Sequence, residues 1–527
     1  METEQQTEDQ VGWGDDSMRL PSIQIGLRRN RSEIVNTRGL NLSDNVRDGD
    51  LAVCWNMAST RWPYLTTRNA RAKQTDYSGA TAITTWDKLV VVQGTDLLYD
   101  GEVVGQVAEG EKQFAVINTK LVIWPDKVYL DTVEKTVKPL GAKATATKAV
   151  FTANTVTVTG AGDLTSLFVV GDSLTISGLK TLSGNNIDLV IKAVEAGKIT
   201  TTADTLTAGE ESGTIVLERR IPDLDFITES GNRLWGVSNK EKTIFASVLG
   251  DPTNFYVYEG LSTDSYAVAV GSEGDFTGCI KLSSSILFWK ERTLHKMLGD
   301  YPAEYSLYDY SLDGLRAGCH KSMQIINDVL FYVGLHGVYT YAGGTPTAIS
   351  DNLGNHDFEA ANGGSDGERY YLSAIDDGVS KLLVYDPRLA VWLQEDDLRV
   401  LQFARLGRGV YMVDNRGDVW LADDGVADPK IQWEVRLTPF WETIEGRKRY
   451  SKLVLRTELP RGSWLKVEVR CDGGRWQEVT KQVGRSYDAT LVRVAPHRCD
   501  KFEVRISGEG PCTIQNLMRE FSVGGDR

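Results

Sequence analysis

The sequence has no apolar run approaching the ~18–20 residues that a membrane-spanning helix requires, so no membrane insertion is expected. Histidine is scarce, with five scattered residues, which excludes a histidine-rich metal site. The six cysteines (Cys54, Cys279, Cys319, Cys471, Cys499, Cys512) form no CxxC pair and are expected as reduced, mostly buried thiols. A GxSxG nucleophile elbow, a Walker loop and an HExxH motif are all missing. No Lys or Arg precedes Arg19, whereas a secretory leader starts basic, so the chain is expected to be made and assembled in a cytoplasm. Sustained 3.6-residue apolar periodicity is almost absent. These absences lead to an expectation of no catalytic activity, no cofactor and no metal.

What is present points to an all-β protein. Glycine reaches 51 residues against 14 prolines, with 20 tyrosines and 13 tryptophans, the profile of many tight turns between aromatic strands. At 41% hydrophobic and 25% charged residues, the composition is that of a globular protein rather than a disordered or fibrous one. A length of 527 residues allows several units, or one large β-domain with additions. The net charge of −14 argues against a general basic surface that coats nucleic acid. Its distribution is uneven, about +6 over 430–527 and −20 over 1–429. That split suits two surfaces with different partners, or head-to-tail contact between copies, or simply a solvated surface.

One unit recurs: an apolar strand, a short polar turn, and a second strand carrying Tyr, Trp or Val. The copies include TTWDKLVVVQGTDLLYDGE from Thr84, ESGNRLWGVSNKEKTIFASV from Glu229 and LGRGVYMVDNRGDVWLADDG from Leu406. Seven copies align on Leu89, Leu121, Leu234, Leu287, Leu330, Tyr370 and Val410, at spacings of 32, 113, 53, 43, 40 and 40 residues. About 40–50 residues is the usual length of a four-stranded propeller blade. The spacing predicts a β-propeller of six to eight blades, with a pair of ordinary β-sandwiches as the alternative.

The 113-residue interval has a local cause. Positions 141–220 hold fifteen threonines and no Trp or Tyr, with short alternating strands and Gly-Asp or Ser-Gly turns. They are expected to form a small β-barrel or sandwich inserted into one blade loop. Short alternating strands over 430–527 predict a C-terminal β-sandwich. The stretch 1–80, with the arginine-rich patches LRRNR (Leu27–Arg31) and RNARAK (Arg68–Lys73), reads as an arm or platform ordered by a neighbour. First blades are then expected at 81–140 and the remaining blades at 221–429.

Smaller features are weak. Asp44, Asp48 and Asp50 lack EF-hand spacing and read as turn acids. Asn415-Arg416-Gly417-Asp418 reads as a hairpin turn. Cys319 and His320, if on one strand, point to opposite faces and share no site. The acids between Asp366 and Asp397 follow no glycosidase pattern.

Three stretches carry a resemblance. RGLNLSDNVRDGDLAVCWNMASTRWPYLTTR (Arg38–Arg68), GNRLWGVSNKEKTIFASVLGDPTNF with its continuation to Gly299, and GCHKSMQIINDVLFYVGLHGVYTYAGGTPTAIS (Gly318–Ser350) resemble a family of tailed-phage virion proteins. They are similar to the nozzle, or tail tubular B, proteins of short-tailed phages and to packaged-DNA stabilisation proteins. The resemblance implies a propeller with inserted and appended β-domains, assembled as a homo-oligomeric ring of six copies in the virion tail. It implies portal and adaptor proteins above, fibres or spikes alongside, and double-stranded DNA passing without sequence-specific binding. A receptor- or glycan-binding tail protein, with Trp433, Phe440 and Trp441 as surface platforms, and a glycan depolymerase are the alternative functions.

Two residue sets follow from that implied role. Asp376, Asp377, Glu395, Asp396 and Asp397 are candidate acids of a channel wall that repels phosphate and lets DNA slide. Arg28, Arg29 and Arg31 are candidate contacts to an acidic partner, either a neighbouring subunit or the ring above.

Overall fold

The computed structural model describes residues 29–354, 356–442, 446–494 and 498–523. The chain is all-β, with only four short 3-10 turns among the described residues. Seven antiparallel four-stranded sheets follow one another along the sequence. Their second strands are Leu89–Gln93, Lys120–Trp124, Arg233–Ser238, Ser285–Trp289, Val329–Gly334, Tyr370–Asp376 and Gly409–Asp414. Each of the seven aligned sequence positions lies in one of these strands.

These second strands read as unbroken apolar runs because both of their faces are covered. Leu234 packs with Ile117 and Trp124 of the sheet before, whereas Trp235 and Val237 pack with Ile286 and Phe288 of the sheet after. The same relation carries on through Trp289 with Tyr332, Phe331 with Tyr370, and Tyr371 with Met412. The seventh sheet meets the first through Val413 and Val419 against Ile83 and Val91, which closes the order. Local turns agree with this layout. Gly231 and Asn232 both have φ near +58°, as a two-residue hairpin between twisted strands demands.

The seventh sheet takes its outer strand from far away. Ala72–Lys73 pairs with Val419–Leu421, so a segment near the N-terminus completes the last sheet. Just upstream, four strands (Arg29–Ile34, Leu51–Trp55, Met57–Arg61, Tyr64–Thr67) enter two sheets built mainly from the C-terminal part. One is seven-stranded around Lys448–Leu459 and Thr513–Val523; the other is five-stranded around Gln432–Leu437 and Phe502–Glu509. Over the described residues 29–80, this corrects the expectation of a separate N-terminal arm (1–80) that would have needed a neighbour to order it. Leu51 and Leu65 are fully buried in the same core as Leu453 and Val504, and burial of that size gives these strands a driving force of their own.

Six strands between Ala142 and Arg219 form a closed barrel. Its apolar core, with Phe151, Phe168 and Leu217, shares no residue with the other cores. Ala142 pairs with Arg219, so the barrel enters and leaves at adjacent points. Replacing 141–220 by a short Gly/Ser link is therefore expected to preserve one cooperative unfolding transition. The expected cost is roughly 1–3 kcal/mol, from buried hydrogen bonds such as Ser173 N–H to Asn254 Oδ1. Loss of the transition in a urea melt would show that the barrel is part of the main core.

Candidate functional site

The proposed wall acids do not behave as a set. Asp376 is buried and pairs with Lys381 at 2.5 Å and with His356 Nδ1 at 2.7 Å. Glu395 is buried and Asp396 half-buried, and both face Arg71, at 2.7 and 2.5 Å. Only Asp377 and Asp397 of the five are exposed. The expectation of five free channel acids is corrected for Asp376, Glu395 and Asp396. Each sits where a carboxylate would be costly without a cation, and each has one.

Arg68 and Arg71 come from RNARAK, so the structure joins an arginine patch to an acid patch. Asn56, at φ +57°, turns the chain from the five-stranded to the seven-stranded sheet. Its amide donates to the Glu395 carbonyl, and its side-chain oxygen accepts from Arg68 Nε at 2.7 Å. Burial opposes the Arg71 charge, but Glu395 and Asp396 outweigh it and hold the guanidinium above its ordinary value. For Arg68, burial and then the charge of Arg71 lower it. The cluster is a clamp between the end of the sixth sheet and the N-terminal strands.

The N-terminal arginines find their acid within the chain. Arg31 donates to Glu520 at 3.1 Å and Arg29 lies 3.9 Å from it, because Arg29–Ile34 runs antiparallel to Thr513–Val523. Glu520 of the same chain is thus an acidic neighbour of these two arginines. Both side chains are largely exposed, so the pairs add little stability. Arg28 lies outside the described residues. Trp433 and Phe440 are core residues, not surface platforms, while Trp441 is exposed.

A second locus was not foreseen. The first strands of several sheets converge on a cavity of about 430 Å³ lined by Gln113, Thr228, Lys281, His320, Lys321 and Gln402, among others. Glu111 reaches Lys321 at 2.7 Å and lies 3.7 Å from His320. Lys281 faces Glu229 at 3.9 Å, and the buried Lys112 holds Asp126 at 2.8 Å. The lysines here are thus matched to carboxylates. Cys319 and His320 sit at one 3-10 turn instead of a strand. A signal did exist: Glu111 and Lys321 each stand two or three residues before a first strand, at Gln113 and Gln324.

Burial pushes the His320 imidazole down to about 4, against an opposing pull from Glu111. The unfolded chain therefore takes up this proton first as pH falls. Stability from the neutral ring is complete above about pH 6.5 and is lost as pH drops towards 4. Wild-type unfolding free energy is expected to fall by up to about 3 kcal/mol more than that of His320→Gln between about pH 7.5 and about pH 4.5. Equal losses in urea titrations would remove this assignment.

Among the described residues, no group of three or more His, Cys, Asp or Glu side chains is placed to hold a metal ion. No described helix is long and apolar enough to cross a membrane.

No protein-family model and no curated protein matches this chain. Solved structures similar to it include an exo-β-1,3-galactanase from Phanerochaete chrysosporium with galactose, at 9% identity and a TM-score of 0.22, covering 56% of this chain and 94% of that one. Kluyveromyces lactis Hsv2 is similar at 9% identity and a TM-score of 0.29, over 62% of this chain and 71% of that one. The extracellular domain of a hybrid two-component system from B. thetaiotaomicron covers 87% of this chain and 64% of its own length, at 9% identity and a TM-score of 0.36. Likeness at this level names no reaction for the present chain. It does correct one expectation. With a glycoside hydrolase among the similar structures, missing linear motifs are not kept as grounds for excluding catalysis.

Proposed function

We propose that this chain is a structural protein of a tailed-phage virion, a seven-bladed β-propeller whose copies form a ring in the tail. In this reading the ring extends the DNA channel below the portal and adaptor, and it carries fibres or spikes. The closed packing order of the seven sheets supports the propeller.

The observation that carries the function is where the residues of the family resemblance lie. Arg233 of GNRLWG is buried and donates to the carbonyls of Ser247, Ser262, Thr263 and Asp264, at 2.5–3.2 Å. Asn254 of GDPTNF donates to Asp251 at 2.6 Å and accepts from Ser173 of the barrel. Those motifs therefore hold the third sheet, its long loop and the inserted barrel together, which makes them signatures of an architecture. Residues that build the frame suit a protein whose task is to be a rigid part. Asp377 and Asp397, with the excess negative charge of 1–429, remain for a channel wall that repels phosphate.

Negative-stain images of the purified full chain are expected to contain six-fold rings with a central opening. A monodisperse monomer at every concentration tested would remove the ring.

A glycan-binding role is the second reading, and one observation favours it. The five-stranded sheet carries an open groove of about 460 Å³ lined by Val53, Trp55, Gln432, Glu434, Trp464 and Ser507. Half-buried indoles beside hydrogen-bonding side chains suit sugar rings. Binding on a glycan array that Trp464→Ala abolishes would favour it.

A further inference from the structure

Three side chains outside both sites above form a connected relay. Ser272 lies in the segment that joins the third sheet, ending at Tyr266–Ala269, to the fourth, starting at Gly278–Leu282. His295 is on the fourth sheet's third strand, Thr293–Leu298, directly opposite Asp309 on its outer strand, Ser306–Ser311. Ser272 Oγ is 2.8 Å from His295 Nε2, and His295 Nδ1 contacts Asp309 Oδ1.

The arrangement fixes the tautomer. Asp309 offers only an acceptor, so Nδ1 carries the ring proton and Nε2 is left to accept from the serine hydroxyl. The imidazole is wholly buried, with the Phe276 ring edge-on at 5.9 Å. Burial, against the pull of Asp309, holds His295 below its ordinary value and so keeps it neutral. Lys290, also buried, donates to the Ser272 carbonyl at 2.8 Å and fixes the backbone that presents the hydroxyl.

Such a bracket could merely tie a loop to a sheet. Two features go beyond that need. Ser272 is partly exposed, between exposed Gly271 and Glu273, so the segment that carries the hydroxyl borders solvent. The backbone N–H groups of Glu273, Gly274 and Asp275, which follow the serine, donate to no protein acceptor among the described residues, so they are available as hydrogen-bond donors in the same segment.

We propose that Ser272, His295 and Asp309 form a hydrolytic relay that cleaves small, neutral carboxylic esters. Ser272 Oγ attacks the ester carbonyl while His295 Nε2 takes the hydroxyl proton. The tetrahedral adduct collapses, the C–O bond to the alcohol breaks, and His295 returns the proton to the leaving alkoxide. Water, deprotonated by the same nitrogen, then hydrolyses the acyl-serine and restores the hydroxyl. Asp309 is a positioning residue. Substrate charge follows from the surroundings: the Asp309 carboxylate behind the imidazole and the Lys290 ammonium on the Ser272 carbonyl offset each other, which suits a neutral acyl group. The relay is independent of any ring assembly. It was not legible in the sequence because the three residues lie on three elements across 272–309, without a nucleophile elbow.

The test treats the full chain with a fluorophosphonate and reads intact mass and peptide maps, alongside hydrolysis of p-nitrophenyl acetate. One adduct per chain at Ser272 is expected, with both adduct and turnover abolished by Ser272→Ala. His295→Gln is expected to slow labelling roughly a hundredfold or more. Should that buried substitution unfold the protein, Asp309→Asn at an exposed position is the second variant, expected to slow labelling while the melting temperature holds. Absence of a Ser272 adduct on folded wild type would overturn the proposal. So would a labelling rate that the folded histidine or aspartate variant leaves unchanged.

Discussion

Arg71→Met is expected to destabilise the protein by about 3–5 kcal/mol, the range for removing one member of a buried ion pair. The Arg71 side chain is 8% exposed and bonds two carboxylates that are themselves 9% and 14% exposed. Methionine fills similar volume, so the loss measures charge more than cavity. Arg68 stays near by, at 3.6 Å from Asp396 and 4.0 Å from Glu395, but its own guanidinium is already engaged with Asn56 and the Asn69 carbonyl. Two acids would then share one poorly aligned cation. Neutralising them should undo much of the damage, because apolar or neutral replacement of a whole buried cluster costs far less than breaking it. The triple variant Arg71→Met, Glu395→Gln, Asp396→Asn is therefore expected to lie above the single variant in stability. Urea denaturation at neutral pH reads both. A single variant within about 1 kcal/mol of wild type would mean that the cluster is solvated and holds nothing together.

That clamp also shows what could be read in advance. RNARAK and QEDD both stand out in the sequence, yet an acid in a loop looks the same whether it faces water or an arginine 324 positions away. Pairing at that distance is a property of the closed chain. The seven repeats were legible for the opposite reason. Second strands such as SILFW and VLFYVG are covered on both faces, so burial writes itself into a short continuous run with no need of a distant partner. The change in composition over 141–220 was visible because a small barrel with its own core selects its own alternation of threonine and aliphatic residues. The strands before position 80 gave no such signal. Leu51–Trp55 and Tyr64–Thr67 are four or five residues long, and their partners begin at Gln432 and Thr513. The Ala72–Lys73 strand is two residues long and has no apolar pattern to read.

Removal of residues 1–75 is accordingly expected to abolish cooperative folding of the C-terminal sheets. Four of the twelve strands in the two C-terminal sheets would be lost with that segment. Thr513–Val523 would lose Arg29–Ile34 and Tyr64–Thr67, and Gln432–Leu437 would lose Leu51–Trp55, leaving open backbone edges and uncovered apolar faces. The seventh sheet would lose its outer strand as well, since Ala72–Lys73 goes too. An arm that rests on a neighbour predicts the reverse, a truncated chain that melts like the full one. Point substitutions grade the effect. Leu51→Ala and Leu65→Ala, both at fully buried positions, are each expected to cost about 2–5 kcal/mol. Their effects should add poorly, because both side chains belong to one core and loosen the same packing. Differential scanning calorimetry of the truncated chain decides the matter. An undiminished transition, at the wild-type temperature and enthalpy, would return the first 75 residues to the status of an appendage.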